Sequence, residues 1–469
     1  MLRRLGVVLL AAVALGAGTA QPLDATHARA RAIIAAAQAS PRAWDRLRVL
    51  TDTIGHRLAG TEAEARAVAW GKQEFEQDGI PVHLEKVMVH VWVRGQESAS
   101  IVAPFVRPLA MLGLGNSVGT PEAGIEAPVV VVADEAALKL LPDESVAGKI
   151  VLFDHPFVRT GDEMKDYGAA VKYRAEGASI AAKRGAEAVL VRSVATTSLR
   201  TPHTGALGYD PAVPRQIPAA AVSIEDAMLL HRLSDAGAQP VVRLVMGART
   251  EPDHEGANVV AEIRGRETPE QVVLVGAHLD SWDVGQGAID DGAGCAIVLE
   301  TMRLIGTGQR PRRTVRAVLF ANEENGGGGG KGYRDAHKAE LANHVALVET
   351  DSGGGRPLGF SVSGGEGAEA MLRLLLEPVL VPLGAERIRS GGGGADIGPM
   401  GELGVVQVGF EPDTTRYFDW HHTEADTLDK IDPQELQDSA AALAAAVWVL
   451  ADAPQTLPRP APNPPTTTP

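Results

Sequence analysis

The sequence is poor in cysteine, aromatic residues and positive charge, and each shortage removes a class of function. One cysteine, Cys295, is present in 469 residues, so no intrachain disulfide can form, and it lies too far from the cleavage site to carry a lipid anchor there. Aromatic residues make up 4% of the chain, too few for a base-stacking platform. The formal net charge of −15 opposes binding to a phosphate backbone, so no nucleic acid partner is expected. No apolar run reaches the ~18 residues that a membrane-spanning helix needs, so no membrane span is expected either. The first twenty residues instead read as a signal peptide, with basic Arg3-Arg4, an apolar core over 7–15 and the small-residue cleavage site Gly18-Thr19-Ala20. That leader predicts a secreted or periplasmic protein.

What is present suits a globular chain. Hydrophobic residues at 45% and charged residues at 22% are ordinary values, and the length allows two or three domains. Residues 21–125 read as the first part of a main domain, with a helix over 61–77 and a strand over 82–93. Residues 126–247 have their own strand-like runs at 129–132, 149–153, 188–191, 217–222 and 241–245, and read as a β-rich insert. A polar linker over 247–255 leads into the second part of the main domain, 248–453. The Pro- and Thr-rich tail, 454–469, is expected to be disordered.

Three short apolar runs in that second part each end in metal-binding side chains. Residues 272–275 run into Gly276-Ala277-His278-Leu279-Asp280, residues 315–320 into Ala321-Asn322-Glu323-Glu324, and residues 345–348 into Glu349-Thr350-Asp351. Such β-branched runs predict parallel strands buried on both faces, an α/β fold with helices flanking a mainly parallel sheet. Ligands collect beyond the carboxyl ends of those strands. Taken singly, a His near a strand end, the Asp290-Asp291 pair before a helix and Glu323-Glu324 before five glycines all have plain structural explanations. Delivered together, with Trp420-His421-His422-Thr423 downstream, they fit a hydrolytic zinc site. Cys295, in the helix expected after Asp290-Asp291, reads as a buried packing residue.

The run from His278 through Asp280 to Asp290-Asp291-Gly292-Ala293-Gly294 resembles the zinc-site segment of the carboxypeptidase Q (plasma glutamate carboxypeptidase) family, one of the co-catalytic dizinc exopeptidases. The resemblance extends over most of the chain and makes the insert similar to a protease-associated (PA) domain. It implies two Zn²⁺ per chain. His278 and His422 would bind one each, Asp290 would bridge both and be joined to Asp291 by a cis peptide bond, and Glu324 and Asp351 would each hold one. Glu323 would be the general base acting on a water between the metals. Asp280 would orient His278. His422 is preferred to His421 because the family ligand lies four residues before an acid followed by Thr, here Asp426-Thr427. His421 stands where relatives carry an oxyanion-stabilising Tyr.

The resemblance implies a zinc metallopeptidase acting on short peptides, dipeptides foremost, with an aminopeptidase on longer peptides as the alternative. A receptor-like protein without catalysis should have lost ligands, and none is missing. A glutaminyl cyclase would carry one zinc. The aminoacylase and carboxypeptidase group is disfavoured by an Asp-Asp-Gly segment only twelve residues after His278. Side-chain preference and pairing into a homodimer are left open. Arg57 and Asp396 are further candidates to face the cleft.

Overall fold

The computed structural model describes residues 20–197 and 199–460, so the expected leader at 1–20 lies almost wholly outside the described residues. Two eight-stranded sheets organise the chain. The main sheet runs, edge to edge, Val82–Val93, Arg249–Ile263, Arg313–Phe320, Thr268–His278, His344–Glu349, Gln407–Pro412, Pro357–Ser363 and Arg387–Ser390. Its centre is parallel, as the apolar runs predict: Thr268–His278 lies between Arg313–Phe320 and His344–Glu349, with His278 opposite Phe320 and Gly276 opposite Glu349. That register brings three carboxyl ends level. The edges are partly antiparallel, so the sheet is mixed.

Side-chain alternation explains why both faces are covered. Val273, Val275, Ala277, Val315, Ala317 and Leu319 enter one core, with helices Ala293–Gly306 and Pro433–Asp452. Leu274, Val318 and Phe320 enter another, against Tyr333, Ile397 and Met400. Cys295 is fully buried in the first core. Its Sγ–H donates to the His278 carbonyl at 3.0 Å, fastening the helix to the strand that carries His278.

Three expectations need correction. The second sheet takes in Glu97–Ala103, Arg107–Leu109 and Met111–Gly113, so the boundary at 126 falls inside it. Glu97–Ala103 pairs antiparallel with Val241–Met246, joining both ends of the insert in one sheet. The segment 247–255 is mostly strand rather than linker, because Arg249–Ile263 pairs with Val82–Val93. The register shifts between Val89 and Val91, leaving Pro252 at an irregularity where its missing N–H costs no ladder bond.

The glycine run after Glu324 follows a turn over 323–326. It leads into the helix Gly328–His337, and Cβ atoms at Gly329 and Gly330 would lie 2.4 and 2.3 Å from the Ala321 and Asp396 carbonyl oxygens. The tail is ordered as far as it is described. Leu457 is buried, and Arg459 donates to the carbonyls of Leu341, Ala342, His344 and Gly404. Residues 461–469 lie outside the described residues. Leu457→Ala should therefore destabilise the fold by about 2 kcal/mol, the low end for a buried leucine near a chain end. Urea unfolding measures this, and an unchanged midpoint would mean the segment does not pack in solution.

Candidate metal centre

His278 ends its strand, and the loop after it is clamped from several sides. The side chain of Arg57 is fully buried and donates to the carbonyls of Leu279, Gln286 and Gly287 at 2.5, 2.9 and 3.0 Å. It fixes the loop and does not face the cleft. Asp426 accepts from the N–H groups of Ala288, Ile289 and Asp290 at 2.9, 2.7 and 3.3 Å. Asp291 accepts from the His278 and Gly294 N–H groups. The Asp290-Asp291 peptide is cis.

Within that frame the two histidines are held in the same way. The His278 Nδ1–H, in the tautomer its partner selects, donates to the Asp280 carbonyl at 3.1 Å. Its bare Nε2 then faces Asp290 Oδ1 at 3.1 Å and Asp351 Oδ1 at 3.3 Å. The His422 Nδ1–H likewise donates to the Thr204 carbonyl at 3.2 Å, and its Nε2 faces Asp290 Oδ2 at 3.1 Å and Glu324 Oε2 at 3.2 Å. A bare lone pair facing two carboxylate oxygens is repulsive, and the contact becomes favourable only when the ring nitrogen carries a proton, as the raised pKa of His278 allows, or when a cation stands between them. There are two such places, and Asp290 lends one oxygen to each. Asp290 Oδ2 and Glu324 Oε1 are also buried without a hydrogen-bond partner. This donor set of imidazoles and carboxylates fits zinc.

Electrostatics agree. Burial opposes the Asp290 charge, yet bonding with His278 and His422 carries its carboxyl well below the usual range. Burial and repulsion from Asp290 push Glu324 well above it. Burial, joined by the Asp351, Asp280 and Asp290 charges, raises Glu323 to about 8. So many carboxyls held together disfavour their own ionisation, and added positive charge would reverse that. Glu323 is only half-buried, whereas Glu324 is buried.

Asp280 does more than the sequence suggests. Its carbonyl, not its carboxylate, bonds His278, the carboxylate Oδ1 standing 3.8 Å from Nδ1. That carboxylate accepts from the backbone N–H groups of Glu323 and Glu324 at 2.9 and 3.3 Å. His421 lies beside the site. Its Nε2 is 3.4 Å from Asp290 Oδ2 and its ring stacks on His422 at 3.5 Å, but no second carboxylate oxygen meets it as one meets His422. His422 has φ +62°, a left-handed backbone uncommon outside glycine, which brings these neighbouring rings to the same side. Asp396 is buried with both carboxylate oxygens unpartnered, and burial joined by the Glu349 and Glu323 charges holds its carboxyl well above the usual range.

Sequence reasoning missed the insert's part in the site. Thr204 exchanges backbone bonds with His422, donating to its carbonyl at 3.0 Å as well as accepting from its ring. Trp282 packs edge-on to His422, 5.6 Å between ring centres, and against Gly115 of the insert. Tyr167 meets the His421 ring edge-on at 5.2 Å, and Tyr417 lies 5.0 Å from the same ring. No spacing rule links residues so far apart in the chain. Only Asp426, four residues after His422, left a local signal.

Residues 258–447 match peptidase family M28, and residues 122–230 match the PA domain. The chain is 42% identical to carboxypeptidase Q of Homo sapiens over 424 residues, 90% of this chain and 88% of that one. Among solved structures it is similar to a peptidase M28 precursor from Shewanella amazonensis SB2B, with TM-score 0.90 and 37% identity over 94% of this chain and 100% of that one. A zinc aminopeptidase from Bacillus subtilis shares the fold at TM-score 0.65 and 20% identity, over 88% of this chain and 96% of that one.

Asp426→Ala should free three N–H groups around Asp290 and weaken metal binding by about 10–100-fold, the usual effect of losing a partner behind a ligand. Zinc titration against a competing chelator measures this. Undiminished affinity would show that the Asp290 loop holds its shape unaided.

Proposed function

The chain belongs to peptidase family M28 and is a metallopeptidase, and from that premise we propose that it is an exported dizinc exopeptidase that hydrolyses short peptides, dipeptides foremost. The observation that carries this reading is the pair of equivalent cation places that share Asp290. His278 and Asp351 would hold one zinc with Asp290, and His422 and Glu324 the other. Zinc bound there would supply Lewis-acid polarisation of the scissile carbonyl and a more acidic water. The preference for dipeptides rests on the likeness to carboxypeptidase Q over most of both chains. Export rests on residues 1–20.

Glu323 takes the proton of the attacking water and passes it to the leaving amine. Its partly exposed position gives it access, and Asp280, by holding both backbone N–H groups, keeps base and ligand at a fixed separation. Base action requires ionisation. Burial and the neighbouring carboxylates together raise the Glu323 carboxyl to about 8, and zinc held beside it would lower it again, keeping Glu323 charged near neutral pH. His421 donates an N–H to the oxyanion. Burial and the neighbouring His422 push its pKa well below the ordinary value, so it stays neutral with one proton to offer.

Glu323→Gln should keep its zinc and its fold while kcat falls by about 10²–10⁴-fold. Glu324→Gln should lose zinc instead. Elemental analysis beside kinetics separates the two, and the opposite pattern would exchange their roles. For the substrate class, free dipeptides should be turned over faster than N-blocked dipeptides or longer peptides. Faster cleavage of longer peptides with free amines would favour an aminopeptidase.

A further inference from the structure

Glu323 and Glu324 stand on a turn that asparagine side chains hold, and no step of the proposed reaction uses those side chains. Asn322, the residue before the pair, is buried and has φ +58°, a left-handed backbone that asparagine tolerates better than most residues. Its Oδ1 accepts from the His90 N–H at 3.0 Å, which fixes the orientation of the amide, and its Nδ2 donates to Asn325 Oδ1 at 2.5 Å. Asn325, also buried, donates from its Nδ2 to the His90 carbonyl at 3.4 Å. His90 lies in the edge strand Val82–Val93, at the register shift between Val89 and Val91. It has no register partner there, and the two asparagines take up both its main-chain groups.

The insert reaches the same turn. Asn116, at φ +66°, donates from its Nδ2 to the Asn325 carbonyl at 3.1 Å. Five residues other than glycine have positive φ among the described residues, and three of them, Asn116, Asn322 and His422, lie in the metal centre or directly against it. Such backbone persists where the surrounding structure fixes it. Space for the Asn322 amide is kept by the glycines that follow, since a Cβ on Gly326 or Gly328 would lie 2.2 or 2.9 Å from its Oδ1. Asp280 holds the N–H groups of Glu323 and Glu324, whereas the asparagines hold the residues that flank them, 322 and 325.

We propose that Asn322, tied to Asn325 and through it to Asn116 of the insert, is a positioning residue that keeps the tasks of Glu323 and Glu324 apart. The proposal rests on the reading of Glu323 as base and Glu324 as ligand, and it deepens that reading. Two adjacent carboxyls can divide their work only if the turn directs one to the cation and the other to the attacking water. On a loose turn both would compete for the same positive charge. Because Asn116 belongs to the insert, the insert bears on the base as well as on His422.

The test uses the zinc-loaded full chain and Asn322→Gly, which keeps the left-handed backbone without steric cost and removes only the side-chain bonds. On a free dipeptide kcat should fall by about 10–100-fold with KM little changed, the usual effect of losing a partner behind a reacting group. Zinc affinity, titrated against a competing chelator, should fall as well. Hydrogen exchange read by mass spectrometry should show residues 321–326 opening faster while Thr268–His278 exchanges as in wild type. Asn116→Ala should produce the same changes to a smaller extent, and it carries the test if Asn322→Gly folds poorly. Leu457→Ala is the control, lowering stability without lowering kcat. Unchanged kcat and zinc affinity in Asn322→Gly would overturn the proposal, as would faster exchange across the whole main sheet or a loss of kcat that Leu457→Ala reproduces. An Asn116→Ala enzyme identical to wild type would overturn the insert's share. A wild type that cleaves no dipeptide rejects the substrate reading, and exchange and zinc affinity, which need no substrate, then decide the role of Asn322.

Discussion

Asp290 shared between two histidines is the constraint on which the rest of the site depends. Each imidazole has its Nδ1 tied to a backbone carbonyl, and each Nε2 is turned to an oxygen of the same carboxylate. The loop that carries Asp290 is held by Asp426 from below and by Arg57 across its base. Those two residues meet main-chain groups rather than ligands, so they act by shape. The arrangement gathers negative charge in a buried place, which is stable only when positive charge is supplied. A site of this kind stores its requirement for metal in its own packing.

The fold explains why such distant residues converge. A parallel sheet delivers the carboxyl ends of adjacent strands to one edge, and the register places the ends near His278, Glu323-Glu324 and Asp351 side by side. The insert closes over that edge and supplies Thr204, Tyr167 and Arg174. It is therefore part of the centre and not an appendage. The second His of the centre cannot be positioned without it, since the Nδ1 partner of His422 is an insert carbonyl.

Much of this was legible before any coordinates. The three apolar runs became central strands because their residues are buried on both faces, which removes the period-two pattern and leaves continuous hydrophobicity. The strand over 82–93 and the helix after Thr61 were equally plain, the latter because Thr61 caps it by accepting from Glu64 N–H. The expected ligands were brought together because each sits at a strand exit or in a distinctive local run. What stayed hidden was carried by pairing rather than by local pattern. Residues 249–255 look like a linker, being polar, yet an exposed strand segment paired on one side is polar too. Glu97–Ala103 joins the insert only through its partner Val241–Met246. The glycines at 329 and 330 reflect close backbone contacts with Ala321 and Asp396, and nothing local announces such contacts.

The central claim is that two cations share Asp290. Diffraction from crystals of the zinc-loaded protein, collected on both sides of the zinc absorption edge, tests it directly. The account predicts two anomalous peaks per chain, one between His278, Asp290 and Asp351 and one between His422, Asp290 and Glu324. A single peak in fully active protein, or two peaks that do not flank Asp290, would contradict it.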